Sequence, residues 1–381
     1  MMKYAFGKSQ AVLTVWVLMK ISLILLVFPV FHYWAHNRWH FTYKRIVDYI
    51  FLTLYIIYLV GLMSFPVSVI IKDEIPPASA VIIMCEQVRL VMKTHAFVRE
   101  NVPRAKNYKP HQDGEKEDNT PCPDFGKFLY FLFVPTLVYR DNYPRTPCIR
   151  WRFVAMNFLQ VLACLFYVYY IFERFCVPAF QRFGHERVTP REFLLAVFGC
   201  MMPGTLLLFI SFFAVLHLWM NAFAEMMRFG DRMFYKDWWN STSFANYYRT
   251  WNVVVHDWLY TYVYKDMHQV MGIKSMAPMF TVFLLSAVIH EYIVTFSFKF
   301  FYPVLFVQFG GFGVIFVFLT NKRKAQSWNI FMWLALFVGT GLLMCLYSME
   351  WYARRNCPPV LDSFFDYMIP RSWMCSAFTL K

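Results

Sequence analysis

A histidine inside a long apolar run is the residue best suited to chemistry in this sequence. His290 lies 14 residues after Met276, so a helix places it ~21 Å along the run, inside a hydrocarbon core of about 30 Å. An ionisable group at that depth is costly and is a functional hypothesis by default. A structural histidine bonded to a neighbouring helix is the alternative. Ser286 lies one turn earlier on the same face, whereas Glu291 points about 100° away and is expected to pair with another helix.

A buried imidazole with a near-neutral pKa can act as a general base on an alcohol that attacks a carbonyl group. If the acyl donor is a thioester, the thiolate leaves readily and no covalent enzyme intermediate is needed. Asn252 is the second candidate, because an amide can hold the hydroxyl or the developing oxyanion. The alternative for Asn252 is that it caps a backbone group.

The segment from position 234 to 240 combines aromatic rings with a lysine, an aspartate and an asparagine. Its pattern indicates a folded, half-buried loop at a membrane surface, where Trp and Tyr keep one polar edge in water. An interfacial aromatic anchor is the alternative. We expect Asp237 to bond locally and fix the loop, so that its loss is severe. The motif residues are Phe234, Tyr235, Lys236, Asp237, Trp238, Trp239 and Asn240.

The composition predicts an all-α, polytopic membrane helix bundle. Fifty-nine per cent of the 381 residues are hydrophobic, the mean hydropathy is +0.41, and several apolar runs exceed the ~18 residues needed to cross a bilayer. We predict one membrane-embedded domain over 1–381, with an amphipathic, interfacial helix over 218–233 that ends near Gly230 and a further helix over 244–268. Eight spans are predicted near 10–34, 46–72, 79–98, 153–180, 193–217, 276–298, 301–320 and 328–348.

The net charge of +14 comes from Lys and Arg in the short segments between apolar runs. This positive-inside pattern indicates a bilayer with acidic headgroups, and a phosphate-bearing substrate, rather than nucleic acid. It assigns 99–152 and 218–275 to the cytosol and 349–381 to the lumen, with a disordered loop tip at 111–120.

The nine cysteines include no C-x-x-C pair, so no metal site is expected. Cys357 and Cys375 fall in the lumenal tail and are predicted to form a disulfide.

The motif at 234–240, together with SAVIHEY at 286–292, resembles the membrane-bound O-acyltransferase superfamily. Within it, TWNVVVHDW at 250–258 and EWYARRNCP at 350–358 resemble the sterol O-acyltransferases. The resemblance implies transfer of a long-chain acyl group from acyl-CoA to a sterol 3-hydroxyl, without a cofactor, by a multi-pass protein of the endoplasmic reticulum membrane. It implies His290 as the base, Asn252 as its paired asparagine, and a homodimer or homotetramer. The family also carries a cytosolic tail and one further span ahead of the matched region.

Coenzyme A phosphates require Lys, Arg, tyrosyl or amide donors. By resemblance Tyr247, Tyr264 and Lys274 are the strongest candidates, and a solvated interfacial face is the alternative. Trp251 and Ser286 are expected to shape the pocket, and His217 and His256 to be structural or pocket-lining rather than catalytic. The full candidate set for acyl-CoA and substrate binding is Trp251, Ser286, Asn246, Tyr247, Arg249, Tyr264, Lys265 and Lys274.

Two other functions remain compatible with the sequence. A diacylglycerol O-acyltransferase of the same superfamily is the nearer one, although the residues after the motif look more like the sterol group. A membrane transporter or channel belongs to a different class. It predicts further intramembrane charges or helices broken near the midplane.

Overall fold

The computed structural model describes residues 6–109, 120–185, 188–321, 323–361 and 364–375. These residues form helices joined by short connections, which confirms the all-α prediction. The predicted loop tip at 111–120 lies outside the described residues except for Thr120, as does the chain after Cys375.

Eleven helices in the described part of the chain carry the architecture. Several contain a π-helical turn, such as Leu23–Val27 in the first and Phe213–Trp219 in the sixth. The bounds of the eleven helices are α1 Ser9–His40, α2 Lys44–Lys72, α3 Pro77–Asn107, α4 Phe125–Phe133, α5 Trp151–Phe180, α6 Pro190–Met226, α7 Phe244–Trp251, α8 Val253–Leu259, α9 Ala277–Phe298, α10 Val304–Leu319 and α11 Ser327–Asn356. Two π-helical segments, Tyr260–Tyr264 and Asp266–Val270, continue α8.

Six of the described helices are long and apolar enough to cross a bilayer, namely α1, α2, α5, α6, α9 and α11. The protein is therefore a multi-pass membrane protein. Helix α10 is apolar but shorter, and α3 carries the polar residues that made the third predicted span weak. The count of eight spans would include both of these helices and stays a prediction.

The chain divides into two compact units, and each has its own polar anchors. The first comprises 1–148, 227–231 and 257–278. Within it the buried Lys93 ammonium donates to the carbonyl of Val134 at 2.7 Å and to that of Phe131, which fastens the end of α4 to α3. A buried lysine is tolerated because main-chain carbonyls replace its lost hydration. Lys20 of α1 pairs with Glu86 of α3 at 2.8 Å.

The second unit comprises 149–226, 232–256 and 279–381, and its closest packing joins α6 to α11. A Cβ on Gly204 would lie 2.7 Å from the carbonyl oxygen of Thr340, and one on Gly341 would lie 2.6 Å from Cγ of Met201. The hydroxyls of Thr205 and Thr340 share a hydrogen bond of 2.9 Å. Small residues allow membrane helices to approach this closely. We call Gly204, Thr205, Thr340 and Gly341 the glycine crossing.

The end of α11 and the tail after it are held by a disulfide and buried acids. Cys357 and Cys375 are joined with their Cα atoms 5.8 Å apart, as the sequence predicts. The fully buried Glu350 accepts hydrogen bonds from the main-chain N–H groups of Arg371 and Ser372. These bonds fold the tail back onto its own helix.

Two predicted helices have different bounds in the structure. The expected interfacial helix over 218–233 is instead the end of α6, which runs to Met226, and the left-handed residue after it is Arg228 (φ 53°) rather than Gly230. Gly230 serves a close approach, since its N–H donates to the carbonyl of Pro144 at 2.8 Å. The predicted helix over 244–268 breaks at Asn252, whose φ of −140° and ψ of 89° are not helical.

Candidate active site

His290 is anchored through one ring nitrogen. Its Nδ1 lies 2.7 Å from the carbonyl oxygen of Ser286, one turn earlier on α9, and 3.5 Å from the Ser286 hydroxyl. A carbonyl only accepts, so Nδ1 carries the proton and Nε2 of the neutral ring keeps its lone pair. The ring stacks on Phe309 of α10 at 5.1 Å, yet the side chain remains exposed. The arrangement presents a hydrogen-bond acceptor and proton acceptor to open space.

Glu291 fixes the rotation of α9 about its axis. Its buried carboxylate accepts a hydrogen bond from the N–H of Phe306 at 2.9 Å, and the Tyr347 hydroxyl of α11 lies 3.4 Å from both oxygens. The predicted pairing of Glu291 with another helix is therefore confirmed. Because consecutive helical residues point about 100° apart, anchoring Glu291 turns His290 toward a different side of α9.

Tyr248 lies close to His290, although the sequence analysis did not single it out. Its ring contacts Phe283 of α9 at 5.3 Å and Phe309 at 5.1 Å, so Phe309 lies against both Tyr248 and His290. A Cβ on Gly313 would lie 2.5 Å from the Tyr248 hydroxyl. Tyr248 thus needs a glycine on α10. We call His290, Ser286, Phe309 and Tyr248 the histidine wall.

The motif at 234–240 is a loop that closes with one 3₁₀ turn, Trp238–Asn240. Main-chain bonds join it to the break between α7 and α8: Lys236 N–H donates to the Thr250 carbonyl at 2.8 Å, and Val253 N–H donates to the Phe234 carbonyl at 2.9 Å. Phe234 is 2 % exposed, whereas Lys236 is exposed. The loop is half-buried, as predicted.

The two tryptophans of the motif have different roles. Trp238 is 3 % exposed, and its ring packs against Phe212 of α6 at 5.3 Å and against Trp251 at 4.7 Å. Trp239 remains exposed, and its carbonyl accepts from the side-chain amide of Asn329 at 2.8 Å. The motif is thereby fixed to both α6 and α11.

Tyr235 and Asp237 complete the description of the loop. The Tyr235 hydroxyl lies 2.8 Å from Nδ1 of His217 on α6, which supports the structural role predicted for that histidine. Burial raises the pKa of Tyr235. The prediction that the Asp237 side chain bonds locally and fixes the loop is wrong. The carboxylate is exposed without a described hydrogen-bond partner, and only the Asp237 carbonyl acts locally, accepting from Asn240 N–H at 3.2 Å.

Asn252 occupies the break between α7 and α8. Its side-chain oxygen accepts from the N–H of Val255 at 3.2 Å, which caps the first turn of α8. The capping alternative is therefore observed. The amide NH₂ group is not consumed by this contact and retains its donors, so the oxyanion role stays a prediction. His256 follows in α8, where its N–H donates to the Asn252 carbonyl at 3.0 Å.

Three of the candidates for coenzyme A lie in the second unit. The side-chain amide of Asn246 donates a hydrogen bond to the Ser241 hydroxyl at 2.8 Å, and Arg249 is exposed. Tyr247 is 7 % exposed and packs against Trp238 and Trp251, so its ring belongs to the core under the motif. Burial raises the pKa of its hydroxyl, and the neighbouring Tyr248 adds to that effect.

The other three candidates lie in the first unit: Tyr264 and Lys265 are in the π-helical continuation of α8, and Lys274 follows it. Tyr264 is stacked between Tyr260 at 5.5 Å and His268 at 6.1 Å, and the Lys265 ammonium lies 5.1 Å from the centre of the Tyr260 ring. Lys274 is exposed. The structure therefore brings His290 together with Ser286, and Trp251 with the motif. It distributes the six phosphate-binding candidates over both units.

Comparison with known proteins identifies the family to which the chain belongs. The family model for membrane-bound O-acyltransferases matches residues 1–349. The chain is 51 % identical over 378 residues to sterol O-acyltransferase 1 of Mus musculus, covering 98 % of this chain and 69 % of that protein. It is 44 % identical over 374 residues to sterol O-acyltransferase 2 of Homo sapiens, covering 98 % and 70 %. The chain belongs to the membrane-bound O-acyltransferase family.

Proposed function

We propose that the protein transfers a long-chain acyl group from acyl-CoA to the 3-hydroxyl of a sterol, with His290 as general base. The observation that carries the proposal is the hydrogen bond from Nδ1 of His290 to the Ser286 carbonyl, since it leaves Nε2 able to accept a proton. The sterol as acceptor rests on the likeness to sterol O-acyltransferases over 98 % of the chain.

The reaction follows from that tautomer. Nε2 takes the proton of the sterol hydroxyl as its oxygen attacks the thioester carbonyl. The amide NH₂ of Asn252 donates to the oxyanion that develops. Collapse of the intermediate breaks the carbon–sulfur bond, and the departing thiolate takes the proton from the imidazolium. The products are a steryl ester and free coenzyme A, and His290 returns to its neutral form.

The two substrates arrive from different phases. The sterol enters from the bilayer, whereas the coenzyme A end stays in the cytosol, where Lys, Arg and Tyr donors suit its phosphates. Arg249, Lys265, Tyr264 and Lys274 fit this role, because Arg249 and Lys274 are exposed and the other two are only partly buried. Because the His290 ring is exposed, hydrocarbon or bound substrate rather than protein would keep water from it, and this limits hydrolysis of the thioester.

The alternatives differ in the acceptor or in the class of protein. A diacylglycerol acyltransferase would use the same base and donor, so only the acceptor separates it from a sterol enzyme. Membership of an O-acyltransferase family disfavours the transporter or channel.

The test is an assay of purified protein in lipid nanodiscs with radiolabelled oleoyl-CoA and either cholesterol or diacylglycerol. We expect steryl ester from wild type and a rate at least about 10²-fold lower from His290→Ala. Triacylglycerol as the main product would contradict the proposal.

We further propose a homodimer or homotetramer in the endoplasmic reticulum membrane, with the disulfide of Cys357 and Cys375 in the lumen. Positive-inside charge supports that orientation, because it assigns the Lys- and Arg-rich segments 99–152 and 218–275 to the cytosol and so leaves 349–381 to the lumen. Mass photometry of the purified protein and protease protection of microsomes test the two statements. A monomer, or a tail cleaved from the cytosolic side, would contradict them.

A further inference from the structure

An elongated apolar cavity of about 610 Å³ lies among α1, α2 and α3 of the first unit. Its volume falls in the range of roughly 300–1,000 Å³ that is usual for small-molecule sites. Aliphatic and aromatic side chains from all three helices form its walls, for example Val30, Phe51 and Val102. None of the lining residues is a candidate for acyl-CoA binding or catalysis, so the cavity is not explained by the proposed reaction.

The cavity is about as deep as one bilayer leaflet. On α2 its lining extends from Arg45 to Tyr58, 13 residues or ~20 Å along the helix axis, compared with ~15 Å for half of the hydrocarbon core. At the far end the Tyr58 hydroxyl is already bonded to that of Ser22 at 2.9 Å. The Tyr55 hydroxyl also lines this part and has no hydrogen-bond partner among the described residues, whereas the other side chains there, such as Leu52 and Leu54, are apolar. The deep lining is therefore predominantly apolar and accommodates a hydrocarbon chain.

The other end of the cavity carries an excess of positive charge. Asp48 is held by Arg38 through two bonds of 2.9 and 3.0 Å, and it also accepts from the Trp34 indole at 3.0 Å. Arg45 and Lys106 line the same end, and no ion pair joins either of them to a described carboxylate. Three cations therefore face one carboxylate, which leaves two positive charges for a ligand.

We propose that this cavity binds an anionic phospholipid, with an acyl chain between α1 and α2 and its phosphate group against Arg45 and Lys106. Basic pockets between membrane helices on the cytoplasmic side commonly take acidic headgroups, and Arg pairs well with phosphate oxygens. Positive-inside charge places this end in the cytosolic leaflet, where acidic phospholipids are enriched. A sterol has a neutral hydroxyl and makes no use of the two cations.

The test measures lipid binding to the full chain by native mass spectrometry, with phosphatidylserine and phosphatidylcholine as probes. We expect a preference for phosphatidylserine that falls by about tenfold or more in Arg45→Ala/Lys106→Ala, given the usual contribution of cations near acidic lipids. Lys72→Ala is the matched control, because Lys72 is exposed at the opposite end of α2 and does not line the cavity. An equal fall in Lys72→Ala would attribute the preference to general surface charge and overturn the proposal.

A second variant tests the chain-binding part without changing charge. Val30→Trp adds bulk at a residue that lines the cavity and is 41 % exposed, so it fills open space rather than the core. We expect it to lose bound phosphatidylserine while its thermal midpoint without added lipid stays unchanged. Wild-type binding by this variant, or displacement of phosphatidylserine by cholesterol or by oleoyl-CoA, would overturn the assignment. Because these readouts do not involve ester synthesis, they are independent of the proposed function.

Discussion

The glycine crossing and the histidine wall lie in the same compact unit and use small residues for opposite purposes. At the crossing, Gly204 and Gly341 let two backbones meet, and the Thr205 and Thr340 hydroxyls satisfy each other. At the wall, Gly313 makes room for one side chain, that of Tyr248, and His290 keeps an exposed ring. The crossing closes space between helices, whereas the wall preserves it.

The difference separates stability from chemistry within one unit. Close packing at the crossing supplies dispersion contacts that hold α6 against α11. Glu291, which points to a different side of α9 from His290, bonds α9 to α10. Helix α9 is therefore held in place without contacts that would cover the face bearing His290. We therefore expect substitutions at the crossing to change stability first, and substitutions at the wall to change activity first.

At Asn252, substitutions can separate the effect on activity from the effect on stability most clearly. Asn252→Asp keeps an oxygen for the Val255 N–H but loses the NH₂ donors, so we expect kcat to fall by about 10²–10³ with stability nearly unchanged. Asn252→Ala should lose the cap as well, at about 1 kcal/mol of stability. Steady-state kinetics and thermal unfolding of both variants check this, and full activity of Asn252→Asp would leave Asn252 as a cap alone.

Two glycines of α6 test the crossing. Gly204→Ala places a Cβ 2.7 Å from a main-chain oxygen that cannot move easily, so we expect a loss of about 1–3 kcal/mol in unfolding free energy. Gly199→Ala meets nothing within 4 Å and should gain up to about 1 kcal/mol from helix propensity. The measurement is thermal or denaturant unfolding in detergent; the same sign for both variants would contradict the close approach.

A glycine-to-alanine substitution at Gly313 tests the histidine wall in the same way. Gly313→Ala should displace Tyr248, and an active-site shift of this kind is expected to lower activity by about tenfold. Gly311→Ala, where nothing lies within 4 Å, is the control and should retain wild-type activity. Adding Tyr248→Phe to Gly313→Ala removes the clashing hydroxyl and should restore much of the rate. No recovery in the double variant would show that the ring position is not what Gly313 protects.

The smallest effect is expected at the coenzyme A end. Lys274→Ala removes one phosphate contact remote from the reacting carbon and should raise the KM for acyl-CoA by about fivefold with kcat unchanged. Lys72→Ala, an exposed lysine at the end of α2, is the control. An unchanged KM would leave Lys274 as an ordinary interfacial residue.

The sequence predicted the apolar helices, the half-buried motif and the Cys357–Cys375 bridge, because each depends on local pattern or on a short range of chain. It also predicted from helical periodicity that Glu291 pairs with another helix, but not that its partner is Tyr347. It did not predict the break at Asn252, where a side chain competes with the helix for the N–H of Val255. Nor did it reveal Tyr248, whose role depends on Gly313, 65 positions away. A tertiary contact of that kind leaves no periodic signal in one sequence.

The central claim is that His290 accepts the proton of the sterol. The most direct measurement compares purified wild type with His290→Ala for steryl ester synthesis and for oleoyl-CoA binding in the same nanodiscs. We predict a rate at least about 10²-fold lower in the variant, since general base catalysis typically contributes 10²–10⁴-fold, with acyl-CoA affinity unchanged. Near-normal ester synthesis by His290→Ala would contradict the account, whether or not its affinity for acyl-CoA differed from that of wild type.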